Sequence, residues 1–104
     1  MRLRVATLSD VPAMVALGGE FIKEAPNYKS RPYLAENAAK HFTSLIKGGG
    51  AIFLVEHDEQ IIGGFVGRIG GDWFNNTKIA FDDCLYVKPE FRKSRAAYML
   101  IQAL

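Results

Sequence analysis

Apolar residues at Val11, Met14, Val15, Leu17, Phe21 and Ile22 recur every three to four positions, the spacing of one buried helix face. Pro12 sits where a first helical turn tolerates a missing N–H, and Ser9 and Asp10 precede it as cap candidates. Ahead of this helix, Arg2 to Ala6 alternates charged and apolar residues and predicts a short strand. Gly18 and Gly19 interrupt the helical stripe, each costing about 1 kcal/mol relative to alanine. A closely packed partner or a kink is expected there. Ala25 to Arg31 is a loop with Pro26 and Asn27 as breakers. A second stripe, Leu34, Ala38, Phe42, Leu45 and Ile46, predicts a helix from Pro32 to about Lys47, ended by Gly48-Gly49-Gly50.

From Ala51 the period changes. Ala51 to Glu56 is nearly all apolar, which predicts a central strand. His57-Asp58-Glu59-Gln60 predicts a turn with a solvated His57, and Ile61 to Ile69 the next strand. Gly70-Gly71-Asp72 and Asn75-Asn76 bracket Trp73 and Phe74, whose rings are expected in the core rather than lining a cleft. Lys78 to Val87 predicts a fourth strand, which Pro89 breaks before a basic loop and a last helix. The order β–α–α–β–β–β–α is an α/β pattern. With 104 residues and no linker, repeat or low-complexity segment, residues 1–104 read as one domain.

Composition narrows the function classes. Hydrophobic residues are 49% and charged residues 23%, a globular balance. A net charge of +2 is too mild to argue for nucleic acid, but it suits a locally basic site for an anionic ligand. Cys84 is the one cysteine, so no intrachain disulfide forms; it reads as a small buried hydrophobe rather than a nucleophile. His41, expected on the surface of the second helix, and His57 lie far apart, and no Cys/His cluster has metal spacing. The N-terminus has no apolar signal core, and no apolar run approaches the ~20 residues of a membrane span. A cytoplasmic protein without metal or membrane partners is the expectation.

Leu85 to Leu100 carries the most chemistry. A strand, a tight basic loop and a helix start present loop amides and a helix N-terminus at a strand end, an arrangement that holds phosphate. This order of elements resembles the GNAT family of N-acetyltransferases over the whole chain. Arg4-Val5-Ala6-Thr7-Leu8-Ser9-Asp10-Val11-Pro12 is similar to that family's first strand and helix start, and Gln60-Ile61-Ile62-Gly63-Gly64 to its turn into the third strand. Leu85-Tyr86-Val87-Lys88-Pro89-Glu90-Phe91-Arg92 resembles its strand-four exit. The family's acyl-CoA loop reads Arg or Gln, two residues, Gly, one residue, then Gly or Ala. Arg92 and Ala97 match, while Arg95 stands where the first glycine belongs. An arginine there costs about 1 kcal/mol if positive φ is required, and it adds a side chain able to pair with phosphate.

The resemblance implies a GNAT-like acyl-CoA N-acyltransferase fold, C-terminally incomplete, with acetyl-CoA as co-substrate and a small-molecule or protein amine as acceptor. It implies that Leu85, Tyr86 and Val87 bind the pantetheine arm, mainly through main chain freed by a bulge. The loop Arg92, Lys93, Ser94, Arg95, Ala96 and Ala97 would bind the pyrophosphate. Asp83, and second Asp82, are the candidate bases; both also read as a solvated strand end or an amine-attracting surface. Adjacent strand residues point to opposite faces, so one of the two is expected to face the cleft. The family's usual leaving-group tyrosine, on a later helix, has no counterpart, and Tyr98 is not a substitute. Tyr28 and Tyr33 flank the acceptor side. A catalytically incomplete acyl-CoA-binding or protein-interaction module on the same fold is the competing reading. Without a fifth strand, the fourth would be an unpaired apolar edge. The chain is therefore expected to form a homodimer or to be a fragment of a longer domain.

Overall fold

The computed structural model describes the backbone of residues 1–25, 32–48, 50–71, 74 and 78–102, and the side chains of the same residues except 69–71 and 78–83. The elements are β1 (Arg2–Val5), a 3-10 turn (Leu8–Asp10), α1 (Val11–Glu24), α2 (Ala35–Lys47), β2 (Gly50–His57), β3 (Gln60–Gly71), β4 (Lys78–Val87), a second 3-10 turn (Pro89–Phe91) and α3 (Ala96–Gln102). The strands pair antiparallel in the order β1-β2-β3-β4. The α/β element order read from the hydrophobic pattern is the order observed.

Both faces of the sheet are covered. Ala6, Met14, Leu45, Ile52, Leu54 and Val66 form a buried cluster, with Phe42 and Ile46 packed against it, so α1 and α2 cover this face. Val55, Ile62, Phe65, Val87, Ala96 and Leu100 form the other cluster, under α3. Consecutive β2 residues Leu54 and Val55 thus enter different clusters, which is why the strand is apolar almost throughout. Cys84 packs partly buried against the first cluster, in line with a small hydrophobe.

Tyr33 accounts for Gly18 and Gly19. Its hydroxyl donates to the Val15 carbonyl at 2.7 Å, and a Cβ on Gly18 would stand 2.8 Å from that hydroxyl. The helix therefore stays bare where the ring lies on it. That same commitment corrects the start of α2. Pro32 to Leu34 stays outside the helix, which begins at Ala35, and the Leu34 carbonyl accepts the amides of Asn37 and Ala38. Leu34 consequently lies 55% exposed instead of on the buried face. At Gly50 a Cβ would meet Leu45 Cβ at 2.8 Å and the Gly67 carbonyl at 2.9 Å, so α2 and β3 close on plain backbone.

Two further expectations are corrected. His57 ends β2 instead of sitting in the turn, and its side chain, 39% exposed, sets its ring edge-on to Phe91 at 5.4 Å. The turn is the two residues Asp58 (φ 51°) and Glu59 (φ 65°). Consecutive left-handed residues match the twist of the flanking strands. Phe74 is 66% exposed, not in the core. Trp73 and Tyr28 lie outside the described residues.

Arg4 ties β1 to the start of α1 and to β2. Its Nη atoms donate to both oxygens of Asp10, at 2.6 and 2.7 Å, and its Nε donates to Glu56. The Asp10 carboxylate also accepts the Thr7 amide at 2.8 Å. It turns back on the preceding residues and makes no side-chain cap to α1, contrary to the cap expectation. The Arg4 hydrogen bonds hold the Asp10 carboxyl at about 2, below the ordinary 3.8; burial opposes them, and Thr7 adds to them. A depressed carboxylate contributes stability above its unfolded pKa and loses it as pH falls toward the folded one. The difference in unfolding free energy between wild type and Asp10→Asn should be about 1–2 kcal/mol at pH 7. In urea titrations it should shrink toward zero as pH drops from 3.8 to about 2; a difference that does not change with pH would contradict this.

Candidate functional site

β4 is the edge strand among the described residues, and its register breaks once. Cys84 pairs with Val66 and Asp82 with Gly67, leaving Asp83 as the extra, unpaired residue of a bulge. The interruption thus falls on Asp83, two residues before the stretch Leu85 to Val87, which stays in register with Phe65, Gly64 and Gly63. A bulge breaks the strict alternation of faces, so the rule that one of Asp82 and Asp83 must face away no longer applies locally. The side chains of Asp82 and Asp83 lie outside the described residues.

The ladder decides which main-chain groups are open. Lys88 donates its amide to the Ile62 carbonyl at 2.8 Å. Alternation in an antiparallel pair then turns the polar groups of Tyr86 toward β3 as well, and those of Leu85 and Val87 toward the open edge. Of these, the Val87 carbonyl accepts Arg92 Nε at 3.0 Å. Tyr86 instead offers its ring to the α1 face, where it meets Phe21 edge-on at 5.9 Å. Burial, then the charges of Glu24 and Glu20, raise its hydroxyl pKa.

Beyond β4 the chain makes a short, internally bonded loop. Phe91 donates its amide to Lys88 O at 2.9 Å, and Ser94 donates its amide to Phe91 O at 3.0 Å. Ser94 Oγ then accepts the Ala96 amide at 3.2 Å. Ala96 and Leu100 are both 0% exposed, so the start of α3 is anchored in the core. First-turn helix amides have no acceptor within their own helix, and here they follow directly on the loop. Lys93 and Arg95 are exposed. Arg92 is not simply an exposed cation: besides Val87 O, its guanidinium binds Glu24 of α1 and lies 5.4 Å over the Tyr86 ring. The Glu24 hydrogen bond raises its pKa further.

A cleft of about 630 Å³ opens on the α1 side of the same sheet end, lined among others by Arg4, Asp10, Glu20, Glu56, Glu59 and Lys88. Four carboxylates against two cations make its lining unsuited to a polyphosphate. The exposed cations Lys93 and Arg95 lie on the loop and do not line this cleft. Among the described residues no group of three or more His, Cys, Asp and Glu could hold a metal, and no helix is long and apolar enough to cross a membrane.

The sequence profile of the "Acetyltransferase (GNAT) family" matches residues 18–104. The chain belongs to the GNAT acetyltransferase family. Its fold is shared with an integron cassette protein from the mobile metagenome of Cole Harbour Salt Marsh, at TM-score 0.85 and 24% identity, covering 97% of this chain and 65% of that one. An aminoglycoside antibiotic 6'-N-acetyltransferase from Acinetobacter haemolyticus matches at TM-score 0.77 and 20% identity, over 99% and 68%. AAC(6')-Iy, solved with the bisubstrate analogue CoA-S-monomethyl-acetylneamine, matches at 0.78 and 18%, over 98% and 67%. At such identities the likeness is one of fold. This GNAT chain spans about two thirds of the length of those structures. No curated protein sequence matches it.

Sequence reasoning missed Glu24 as a neighbour of the loop, because a residue 68 positions away carries no local signal of Arg92. It also allowed strain at Arg95. Among the described non-glycine residues only Asp58 and Glu59 have positive φ, so Arg95 adopts its position without that strain. Restoring the family's glycine with Arg95→Gly should therefore lower stability by about 0.5–1 kcal/mol through added backbone freedom. A higher urea midpoint in that variant would show that strain was stored there after all.

Proposed function

We propose that this GNAT chain carries the donor-binding part of an N-acetyltransferase that moves an acetyl group from acetyl-CoA to an amine. The observation that supports this most is the continuity of β4, loop and α3. Edge-facing main-chain groups at Leu85 and the Val87 amide, beside a Val87 carbonyl already bonded to Arg92, lead directly into a basic loop and a helix start. Polar edge groups suit the amides of a pantetheine arm; the loop Lys93, Ser94, Arg95, Ala96 and Ala97, whose Ser94 and Ala96 amides are bonded within the loop, suits a pyrophosphate through its exposed cations and its other amides. The family's use of acetyl-CoA, and the CoA conjugate bound to AAC(6')-Iy, favour the same donor. Aminoglycoside acetyltransferases among the fold's neighbours favour a small-molecule amine acceptor; a protein amine is the other class.

In this reading Asp83, at the bulge, takes a proton from the acceptor amine, directly or through water, with Asp82 second. The neutral amine forms a C–N bond to the acetyl carbon and charge collects on the carbonyl oxygen; as the C=O re-forms the C–S bond breaks, and the extra proton on the nitrogen passes through water to the departing sulfur, giving the amide and CoA thiol. An edge amide of β4 is suited to donate to that oxygen. Cys84, as the one cysteine, fits a reducing cytoplasm.

Calorimetry with acetyl-CoA and thiol release with amine acceptors test this in two steps. Asp83→Asn should leave acetyl-CoA affinity within about twofold and cut turnover by about 10²–10⁴, the usual worth of a general base. Absence of binding at millimolar acetyl-CoA would remove both the enzyme and the binding-module readings. Binding without turnover on any amine would favour the module.

Self-association belongs to the same proposal. β4 is an edge among the described strands, and Leu85 on it and Ile101 on α3 are exposed apolar residues. Light scattering should report a dimer; a stable, well-folded monomer would count against it.

A further inference from the structure

We propose that Glu24 is a positioning residue for the basic loop, acting through Arg92. The Arg92 guanidinium joins three parts of the molecule. Nε donates to the Val87 carbonyl at the end of β4, Nη2 binds the Glu24 carboxylate at the end of α1, and the group lies over the Tyr86 ring. Tyr86 in turn packs against Phe21 of α1. The first residue of the loop is thereby fixed against a helix far from it in sequence.

Glu24 is poorly suited to its own helix. It is the last residue of α1, where the helix dipole disfavours a carboxylate, while its neighbour Lys23 has the sign that end prefers. Helix formation therefore does not account for a glutamate there, and the ion pair with Arg92 does. A pair half-exposed on both sides, as this one is, contributes little to global stability. Its effect is geometric: a planar guanidinium held at both ends leaves the loop few orientations.

The consequence concerns how an anion is held. Arg92 shapes the loop, and recognition falls to the main chain with Lys93 and Arg95. This rests on the reading that the loop takes the pyrophosphate of acetyl-CoA. Electrostatics and positioning predict opposite signs for loss of Glu24. If Glu24 were only a nearby negative charge, its removal would tighten binding of a polyanion. If it positions the loop, removal weakens binding although a repelling charge is gone.

The experiment compares wild type, Glu24→Ala, Glu24→Gln, Arg92→Ala and the Glu24→Ala/Arg92→Ala double variant by calorimetry with CoA. Amide hydrogen exchange over residues 92–97 is read in parallel in the free protein. Glu24→Ala should weaken CoA binding and speed loop exchange, each about fivefold, the upper range for an exposed pair. Glu24→Gln, which keeps an oxygen for Arg92, should restore most of both. The double variant should be no worse than Arg92→Ala alone, since the two residues act as one unit. CoA binding in Glu24→Ala equal to or tighter than wild type, or effects that add, would overturn the inference. Unchanged loop exchange in Glu24→Ala would overturn it too, and that readout holds even if wild type fails to bind CoA, which would remove the functional reading instead.

Discussion

Two-sided burial of β2 and β3 is the constraint from which the rest follows. Ile52 and Leu54 face the cluster under α1 and α2, while Val55, Ile62 and Phe65 face the one under α3. A sheet buried on both faces needs helices on both, and those helices must come close. The close approaches fall on small residues: Gly50 admits α2, and Ala96, fully buried, admits α3. Once α3 is seated by Ala96 and Leu100, the loop before it has a fixed end. The other end is the exit of β4, fixed by the Lys88 bond to Ile62. A short loop between two anchored ends is a suitable frame for a ligand, since little order remains to be imposed when one binds.

The α1 face adds a second restraint. Arg4 gathers Asp10 and Glu56 at one end of α1, and Arg92 gathers Glu24 and Val87 at the other. Each guanidinium bridges α1 to the sheet end from which β4 leaves. The acidic cleft includes the Arg4, Asp10 and Glu56 bridge and reaches Lys88 at the strand exit, from which the basic loop continues.

The pattern of apolar positions made the element order legible, since periods of 3.6 and 2 are local properties. It made the central place of β2 legible too, because a strand buried on both faces cannot alternate. Boundaries were less legible. α2 begins at Ala35, not Pro32, because the Tyr33 hydroxyl finds the Val15 carbonyl on another helix. His57 and Phe74 were placed wrongly because a ring's surroundings are set by segments distant in sequence: Phe91 meets the His57 ring, while Phe74 stays 66% exposed. The strand–loop–helix context of the loop was legible, and the structure has that order of elements. That Arg92 is engaged by Glu24 was not legible; a bulge in β4 was expected only through the family resemblance, and its place at Asp83 was not legible, because a one-residue slip is a property of two strands together.

By itself the sequence determined the α/β order, the family resemblance and the strand–loop–helix segment from Leu85 to Ala97. These depend on neighbours within a few residues, where composition and spacing act directly. Only the tertiary structure decided which backbone groups of β4 stay open, that Arg95 needs no glycine-like backbone, and that the loop's first arginine is held by the end of α1. Those are outcomes of register and packing between distant segments, which residue spacing along one chain does not encode.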